Sequence, residues 1–342
     1  MVFSSSYRYT RADGTDTGQI QARTDSAGTA VNTYDGFGRL TKTGTRSYAY
    51  DLAGNLTSGD GRTYTANTAN QMTKVDTATA TYDGAGNLST TTPGGQARYS
   101  TTNQLTSITS GTDTLFTASY DTLDQTQPDT ITETTGGTTT RHAFTRTAIG
   151  VSRTVVNGAT TTYTHDTDGK LTAVTDTTGK HHNAIVDSQG SVLALVNDTG
   201  QLTARYDYTP YGTTTATNLL GSGAEANRVR WIGTYQLASG ISLTGYRHYN
   251  PAYSRFTQPD PTGQEPHDYA YAQGDPINNS DPTGAVSKGC VNAGVTSIIG
   301  LLGTTATYVA SAATGGVTAG LAVGSTVATV TAISNAALAC GK

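Results

Sequence analysis

The sequence predicts an all-β protein built from many short antiparallel strands, and three observations support this. The 342 residues include 69 Thr, 40 Gly and 20 Tyr. Thr and Tyr favour the pleated surface of a sheet, whereas Gly marks turns. Leu, Met and Glu, which favour helices, are scarce over residues 1–284. A short unit that begins with Tyr-Asp also recurs along the chain, so we expect an antiparallel sheet made of repeats.

The repeated unit reads Tyr-Asp-x-x-Gly-Asn/Arg-Leu-Thr. Clear copies begin at Tyr34, Tyr50 and Tyr82, and looser copies begin at Tyr64, Tyr99 and Tyr163. In each copy the tyrosine ends one strand, the aspartate bonds its own backbone to start a turn, the glycine supplies a positive φ, and Leu-Thr opens the next strand. Residues 1–33 are a degenerate form of the unit, so residues 1–180 are expected to form one repeat sheet.

The residues that follow carry a more specific pattern. They include "DSQGSVLALVNDTGQLTARYDYTPYGT" (187–213), "RWIGTYQLASGISLTGYRHYNPAYSRFTQPDPTG" (230–263) and "YAYAQGDPINNSDPTG" (269–284). Together with the repeats, these segments resemble the RHS/YD-repeat family, over roughly residues 30–285. The resemblance implies a curved or spiralling β-sheet, here part of a hollow shell, with residues 181–285 as the RHS repeat-associated core.

The last segment, residues 286–342, has a different composition. It contains no acidic residue, and its only basic residues are Lys288 and Lys342. Two apolar stretches of roughly 20 residues each predict a helical hairpin within 297–339 that enters a lipid membrane or an enclosed cavity. A disulfide between Cys290 and Cys340 would join the two ends of this tail.

The tetrapeptide Asp-Pro-Thr-Gly occurs twice, at 260–263 and at 281–284. Turn chemistry alone explains such a tetrapeptide, because Asp, Pro and Gly favour successive turn positions. The resemblance implies more, because RHS cores that release a C-terminal toxin end in an aspartyl autoprotease. Its arginine and two aspartates fall on Arg247, Asp260 and Asp281, and its cut falls between Ala285 and Val286.

This catalytic set is chemically reasonable. When two carboxyl groups share a site, one can keep a proton and act as an acid while the other activates water. An arginine can hold one of them ionised through paired hydrogen bonds. The sequence departs from the family pattern at three places: Ala285 replaces Leu, "HYNP" replaces Tyr-Tyr-Asp-Pro, and "SRF" replaces Gly-Arg-Phe.

Charge and composition exclude other functions. Only 13% of residues are charged and the net charge is -4, so we expect no nucleic-acid partner. The sequence has no phosphate-binding glycine loop between a strand and a helix and no set of metal ligands, so neither a cofactor nor a metal is expected. The one enzymatic activity that the resemblance implies is aspartyl autoproteolysis within the chain itself.

Two functions fit these observations. The first is a polymorphic-toxin scaffold of bacterial type that encloses or presents a small C-terminal effector and releases it by self-cleavage. An immunity protein and an upstream RHS or secretion-system component would be its partners. The second is a cell-surface module that binds carbohydrate or other cells and has the tail as its membrane anchor. Both functions imply a secreted or cell-surface protein. Residues 1–20 contain no apolar stretch, so we expect that it uses a route without a visible signal peptide.

Overall fold

The computed structural model describes residues 5–25, 28–91, 94–121, 124–220, 226–263, 265–285, 295–297 and 309–311. Within these ranges the chain forms antiparallel β-strands and no α-helix, which confirms the predicted all-β class. In each sheet the strands pair in sequence order, and no sheet of the described residues closes into a barrel.

The strands fall into four sheets before the tail. The first sheet contains β1 (Ser5–Arg8), β2 (Ala22–Asp25), β3 (Gly28–Tyr34), β4 (Leu40–Thr43) and β5 (Arg46–Ser47). The second contains β6 (Ala49–Tyr50), β7 (Leu56–Gly59), β8 (Arg62–Ala66), β9 (Met72–Val75) and β10 (Ala78–Thr79). The third contains β11 (Thr90–Thr91), β12 (Gly95–Tyr99), β13 (Leu105–Ser110), β14 (Asp113–Tyr120), β15 (Pro128–Thr135), β16 (Thr138–Thr147), β17 (Gly150–Val156), β18 (Ala159–His165), β19 (Leu171–Thr175), β20 (His181–Val186), β21 (Val192–Asn197), β22 (Leu202–Tyr208) and β23 (Thr214–Leu219). The fourth contains β24 (Tyr235–Gln236), β25 (Ser242–Leu243), β26 (His248–Asn250) and β27 (Arg255–Phe256).

The Tyr-Asp unit forms the strand-turn-strand structure that its sequence predicts. In three copies the tyrosine pairs with the leucine six residues later: Tyr34 with Leu40, Tyr50 with Leu56, and Tyr99 with Leu105. Each of these pairs follows a register shift, so an extra residue bends the strand where the turn begins. The three leucines are buried, which gives each unit an inward anchor.

Asp83 illustrates how the aspartate fixes the turn. Its Oδ1 atom accepts hydrogen bonds from the backbone N–H groups of Ala85 and Asn87, at 3.0 and 2.9 Å. Gly86 follows with φ +85°, a left-handed conformation that glycine adopts without strain. The turn is therefore specified by residues within five positions of each other.

The expected boundary at residue 180 lies inside the third sheet. Strand β19 pairs with β20 across it, and the sheet continues without a break to β23. The architecture changes only after β23, where residues 226–285 form short strands and two 3-10 turns, Trp231–Gly233 and Ala272–Gly274. We call residues 226–285 the plug.

The plug is packed between the larger sheets. One of its faces contributes Tyr235 and Leu243 to a core shared with the third sheet. The other contributes Trp231 and Tyr249 to a core shared with apolar residues of the first two sheets. The pairing of β25 with β26 explains the two faces, because successive residues of a strand point to opposite sides.

Aromatic rings fill the centre of the plug. The Trp231 ring centroid lies 4.8 Å from that of Tyr249 and 4.9 Å from that of Tyr271. The Tyr249 and Phe256 rings meet edge to face with centroids 5.5 Å apart. Such arrangements each stabilise by about 0.5–1.5 kcal/mol beyond their buried area, so this cluster gives the short strands of the plug a rigid base.

The predicted tail lies mostly outside the described residues. The part that is described forms two paired antiparallel strands, β28 (Val295–Ser297) and β29 (Val309–Ser311), instead of the expected helical structure at these positions. Within the described ranges no helix is long and apolar enough to cross a membrane.

Candidate functional site

Arg247 and Asp281 form a buried ion pair in the plug. The Arg247 Nη2 atom donates to Asp281 Oδ2 at 3.1 Å, and both side chains are about 1–2% exposed. Arg247 Nε donates to the Gly284 carbonyl at 2.6 Å, and Nη1 donates to the Asp268 carbonyl at 2.9 Å. The guanidinium carbon also lies 3.5 Å from the centroid of the Phe256 ring. All three guanidinium nitrogens of Arg247 therefore donate hydrogen bonds within the plug, to Asp268, Asp281 and Gly284.

The environment of Arg247 is rich in carboxylates. Burial lowers the pKa of its guanidinium, whereas the charges of Asp281, Asp260 and Glu265 oppose that shift. A buried charge requires such partners, because an unpaired ion in the interior is destabilising by several kcal/mol.

Asp281 contacts the predicted cleavage position directly. Its Oδ1 atom accepts from Thr283 Oγ1 at 2.9 Å and from the Ala285 backbone N–H at 3.3 Å, while Oδ2 accepts from Arg247. A carboxylate that accepts from three donors, one of them a cation, is held in one orientation. Asp281 therefore fixes the orientation of Ala285, which is itself buried.

Asp260 approaches the same residue from the other side. Its carboxylate accepts from the backbone N–H of Thr262 at 3.1 Å and of Glu265 at 3.0 Å. Thr262 Oγ1 lies 2.9 and 3.0 Å from the two oxygens of Asp260 and 3.3 Å from the carbonyl oxygen of Ala285. A single hydroxyl group thus connects the first Asp-Pro-Thr-Gly element with the carbonyl that follows the second.

Two glycines bring the site together. Gly245 has φ +83°, and a Cβ atom there would lie 2.7 Å from the Thr283 carbonyl oxygen. Gly284 has φ +66°, and a Cβ atom there would lie 2.8 Å from the Thr244 carbonyl oxygen. Only glycine allows the segment before β26 and the segment after Asp281 to approach so closely.

The departures from the family pattern have local explanations. Asn250 Oδ1 accepts from the Ala252 N–H at 3.0 Å, a bond that an aspartate would also accept. Ser254 adopts φ +55°, where glycine would be unstrained, and its hydroxyl lies 3.2 Å from the Tyr64 hydroxyl. Ala285 fills its buried position with a small side chain. Val286, Cys290 and Cys340 lie outside the described residues, so the cut and the disulfide remain predictions.

The sequence did not indicate a second buried pair, Glu133 and His142. The His142 Nε2 atom lies 3.1 Å from Glu133 Oε1, and the Glu133 carboxylate also accepts from the backbone N–H groups of Ala238 and Ser239. Burial raises the pKa of Glu133, but these hydrogen bonds outweigh it and leave the pKa below its ordinary value. One signal was available: Glu133 shares an inward face of β15 with the buried Ile131.

The tyrosines are mainly core residues. Of those that the structure describes, Tyr9 is the one with an exposed side chain, at 44%. Within the same ranges no group of three or more His, Cys, Asp or Glu side chains is arranged to hold a metal ion. The described tyrosines therefore contribute mainly to the packing of the sheets and the plug.

Comparison with known proteins gives partial matches. No known family profile matches the chain. Salivary gland surface protein 1 of Aedes aegypti is 32% identical over 123 residues, which cover 35% of this chain and 4% of that protein. The tRNA3(Ser)-specific nuclease WapA of Bacillus spizizenii is 30% identical over 145 residues, which cover 40% of this chain and 6% of that protein. The chain thus spans less than one tenth of the length of these curated relatives.

Solved structures match over a larger part of the chain. The crystal structure of TcdB2-TccC3-Cdc42 has a TM-score of 0.69 at 16% identity, over 83% of this chain and 17% of that chain. The crystal structure of TcdB2-TccC3 without its hypervariable C-terminal region has a TM-score of 0.64 at 17% identity, over 82% of this chain and 17% of that chain. The chain therefore shares its antiparallel fold with a segment of these much longer toxin-complex chains.

Proposed function

We propose that this chain is a segment of an RHS/YD-repeat toxin scaffold that cuts itself after Ala285 and frees residues 286–342. The observation that carries this proposal is the convergence of three side chains on the two residues before the cut. Arg247 donates to the Gly284 carbonyl, Asp281 accepts from the Ala285 N–H, and Asp260 reaches the Ala285 carbonyl through Thr262.

The proposed chemistry gives the two aspartates different roles. Asp281, which Arg247 holds in position, accepts a proton from a water molecule that attacks the Ala285 carbonyl carbon. Asp260, which is linked to the Ala285 oxygen through Thr262, supplies a proton towards that oxygen. When the intermediate collapses, the carbon–nitrogen bond breaks, the Val286 nitrogen takes the proton from Asp281, and Asp260 regains its own.

Relatives and neighbours support the wider setting of this proposal. TccC3 is named as a chain with a hypervariable C-terminal region and as part of a complex with TcdB2, and WapA is named as a nuclease. By analogy, residues 286–342 are the variable cargo and a toxin-complex component is the upstream partner. An immunity protein and release outside the cell belong to the same arrangement. The alternative of a carbohydrate-binding surface module gains little support, because Tyr9 is the one exposed tyrosine among the described residues.

Site variants test the cleavage. We expect Asp260→Asn and Asp281→Asn to slow release of the C-terminal fragment by at least about 100-fold, because each removes an acid–base group. Asp83→Asn is the matched control, because it changes a turn aspartate in the repeats. Rates are read from gels of the full chain during cell-free translation.

Asp260→Asn is the decisive variant. Asp281→Asn leaves a buried arginine unpaired and can unfold the plug, whereas Asp260 is only half-buried. Release from Asp260→Asn at the wild-type rate would contradict the proposed mechanism.

The cargo is proposed to act on membranes, because its two apolar stretches carry almost no charge. We expect a synthetic peptide of residues 286–342 to release dye from vesicles of phosphatidylglycerol and phosphatidylethanolamine. A peptide with Leu301→Asp and Leu321→Asp should release far less, because a carboxylate in the apolar phase is costly. Equal leakage from both peptides, or leakage from neither, would contradict membrane insertion.

A further inference from the structure

The Thr262 hydroxyl occupies an unusual position between an acid and the predicted scissile carbonyl. It lies 2.9 and 3.0 Å from the oxygens of Asp260 and 3.3 Å from the Ala285 oxygen. These are three acceptor atoms around a group that carries one hydrogen. Which acceptor receives that hydrogen must therefore depend on the protonation state of Asp260.

The two protonation states of Asp260 give different arrangements. When Asp260 is ionised, Thr262 donates to its carboxylate, because a hydrogen bond to a charged acceptor is the stronger one. When Asp260 is protonated, its acid hydrogen is donated to Thr262 Oγ1. Thr262 then donates its own hydrogen to the Ala285 carbonyl oxygen.

We propose that Thr262 is a catalytic residue that relays a proton from Asp260 to the Ala285 carbonyl oxygen. This inference rests on the proposed self-cleavage. As water attacks, the oxygen of Ala285 takes the hydrogen of Thr262, and Thr262 takes the acid hydrogen of Asp260, so that Asp260 becomes a carboxylate and Thr262 is again a hydroxyl. The reverse transfer occurs when the carbon–nitrogen bond breaks.

The second tetrapeptide provides an internal comparison. Thr283 makes the same hydroxyl–carboxylate bond to Asp281 that Thr262 makes to Asp260, at 2.9 Å in both cases. Thr283 Oγ1, however, accepts from the Ala285 N–H at 3.3 Å. The first Asp-Thr pair thus contacts the carbonyl of Ala285 and the second contacts its N–H, which explains why both copies are needed.

The test uses two substitutions of Thr262 in the full chain during cell-free translation. Thr262→Val removes the hydroxyl and keeps the branched shape, so we expect cleavage to slow by about 100-fold, the loss typical of removing one donor to a developing oxyanion. Thr262→Ser keeps the hydroxyl and should cleave at close to the wild-type rate. Thr199→Val is the matched control, because it removes a hydroxyl that bonds Asn197 in an exposed turn.

The pH profile separates a relay from a structural role. The wild type and Thr262→Ser should share one pH–rate profile, whereas the residual rate of Thr262→Val should follow a different one. Thr262 is exposed, so Thr262→Val should melt at the wild-type temperature. Two results would overturn the relay and leave self-cleavage standing, provided that the wild type cleaves. Thr262→Val could cleave at the wild-type rate, or Thr262→Ser could cleave as slowly as Thr262→Val. A wild type that stays intact would overturn both.

Discussion

At the residue scale, His248 is a buried histidine that follows Arg247 in the chain. It is 1% exposed, and neither ring nitrogen has a hydrogen-bond partner among the described residues. Its ring meets Phe116 edge to face, with centroids 6.2 Å apart. Burial lowers the pKa of His248 to about 4, so the ring is neutral at pH 7.

This burial predicts a pH dependence of stability. An unfolded histidine has a pKa of about 6.5, so the unfolded state binds more protons between that pH and about pH 4. The stabilisation is complete above pH 6.5 and is lost as the pH falls towards 4, by up to about 1.4 kcal/mol per pH unit. His248→Phe should remove this part of the slope, measured as urea midpoints at pH 7.5 and 5.0.

An exposed residue without a titratable group provides the control for His248. Leu52 is 98% exposed, and Leu52→Ala should leave the pH slope unchanged. Other groups also contribute to the pH dependence of stability, so the slope of the variant is compared with the slope of the wild type. A His248→Phe protein with the wild-type slope would contradict the burial of a neutral ring.

At the element scale, Arg255 connects strand β27 of the plug with turns of the repeats. Its Nη1 atom donates to the Asn70 carbonyl at 2.7 Å, and Nη2 donates to Asn55 Oδ1 at 3.2 Å. His267 also contacts Asn55 Oδ1, at 2.8 Å. One planar guanidinium therefore bridges two successive turns, which a lysine cannot do with a single ammonium group.

Arg255→Lys should consequently destabilise the protein. The lysine would lose one of the two buried hydrogen bonds and leave its acceptor unsatisfied, which lowers the free energy of unfolding by about 1–3 kcal/mol. Urea denaturation of the variant and the wild type measures this difference. The control is Arg62→Lys, because Arg62 and its partner Asp76 are both nearly half exposed and such pairs contribute little. If the two substitutions have equal effects, the plug does not depend on this bridge.

The elements also differ in how far the sequence predicts them. The turn after Tyr34 is predictable because Asp35, Gly38 and Leu40 specify it locally. The plug is not predictable in this way, because its short strands are buried by residues far away in the sequence. The pairing of Arg247 with Asp281 came from the resemblance, and the role of Thr262 depends on a carbonyl 23 residues away.

Buried polar groups were the hardest feature to predict. Glu133 lies in a Thr-rich strand, and its one local signal is that it stands two residues after the apolar Ile131, on the same face of the strand. Its partners His142, Ala238 and Ser239 come from a neighbouring strand and from the plug. Only the assembled sheets bring these groups together.

At the scale of the whole molecule, the plug lies between two cores, and the predicted cut lies at its end. One core joins the plug to the third sheet and the other joins it to the first two sheets. The last described residue before the tail, Ala285, is buried and contacted through both of its backbone polar groups. Such an arrangement would tie the proposed cleavage to correct folding, because the candidate site exists only after distant segments have packed.

Intact mass spectrometry of the folded wild-type chain tests the central claim most directly. The account predicts two species, one that ends at Ala285 and one that begins at Val286, and a single intact species for Asp260→Asn. The masses alone fix the cut to one peptide bond. A folded wild-type protein that retains the mass of the whole chain, or one that is cut at any other bond, would contradict the account.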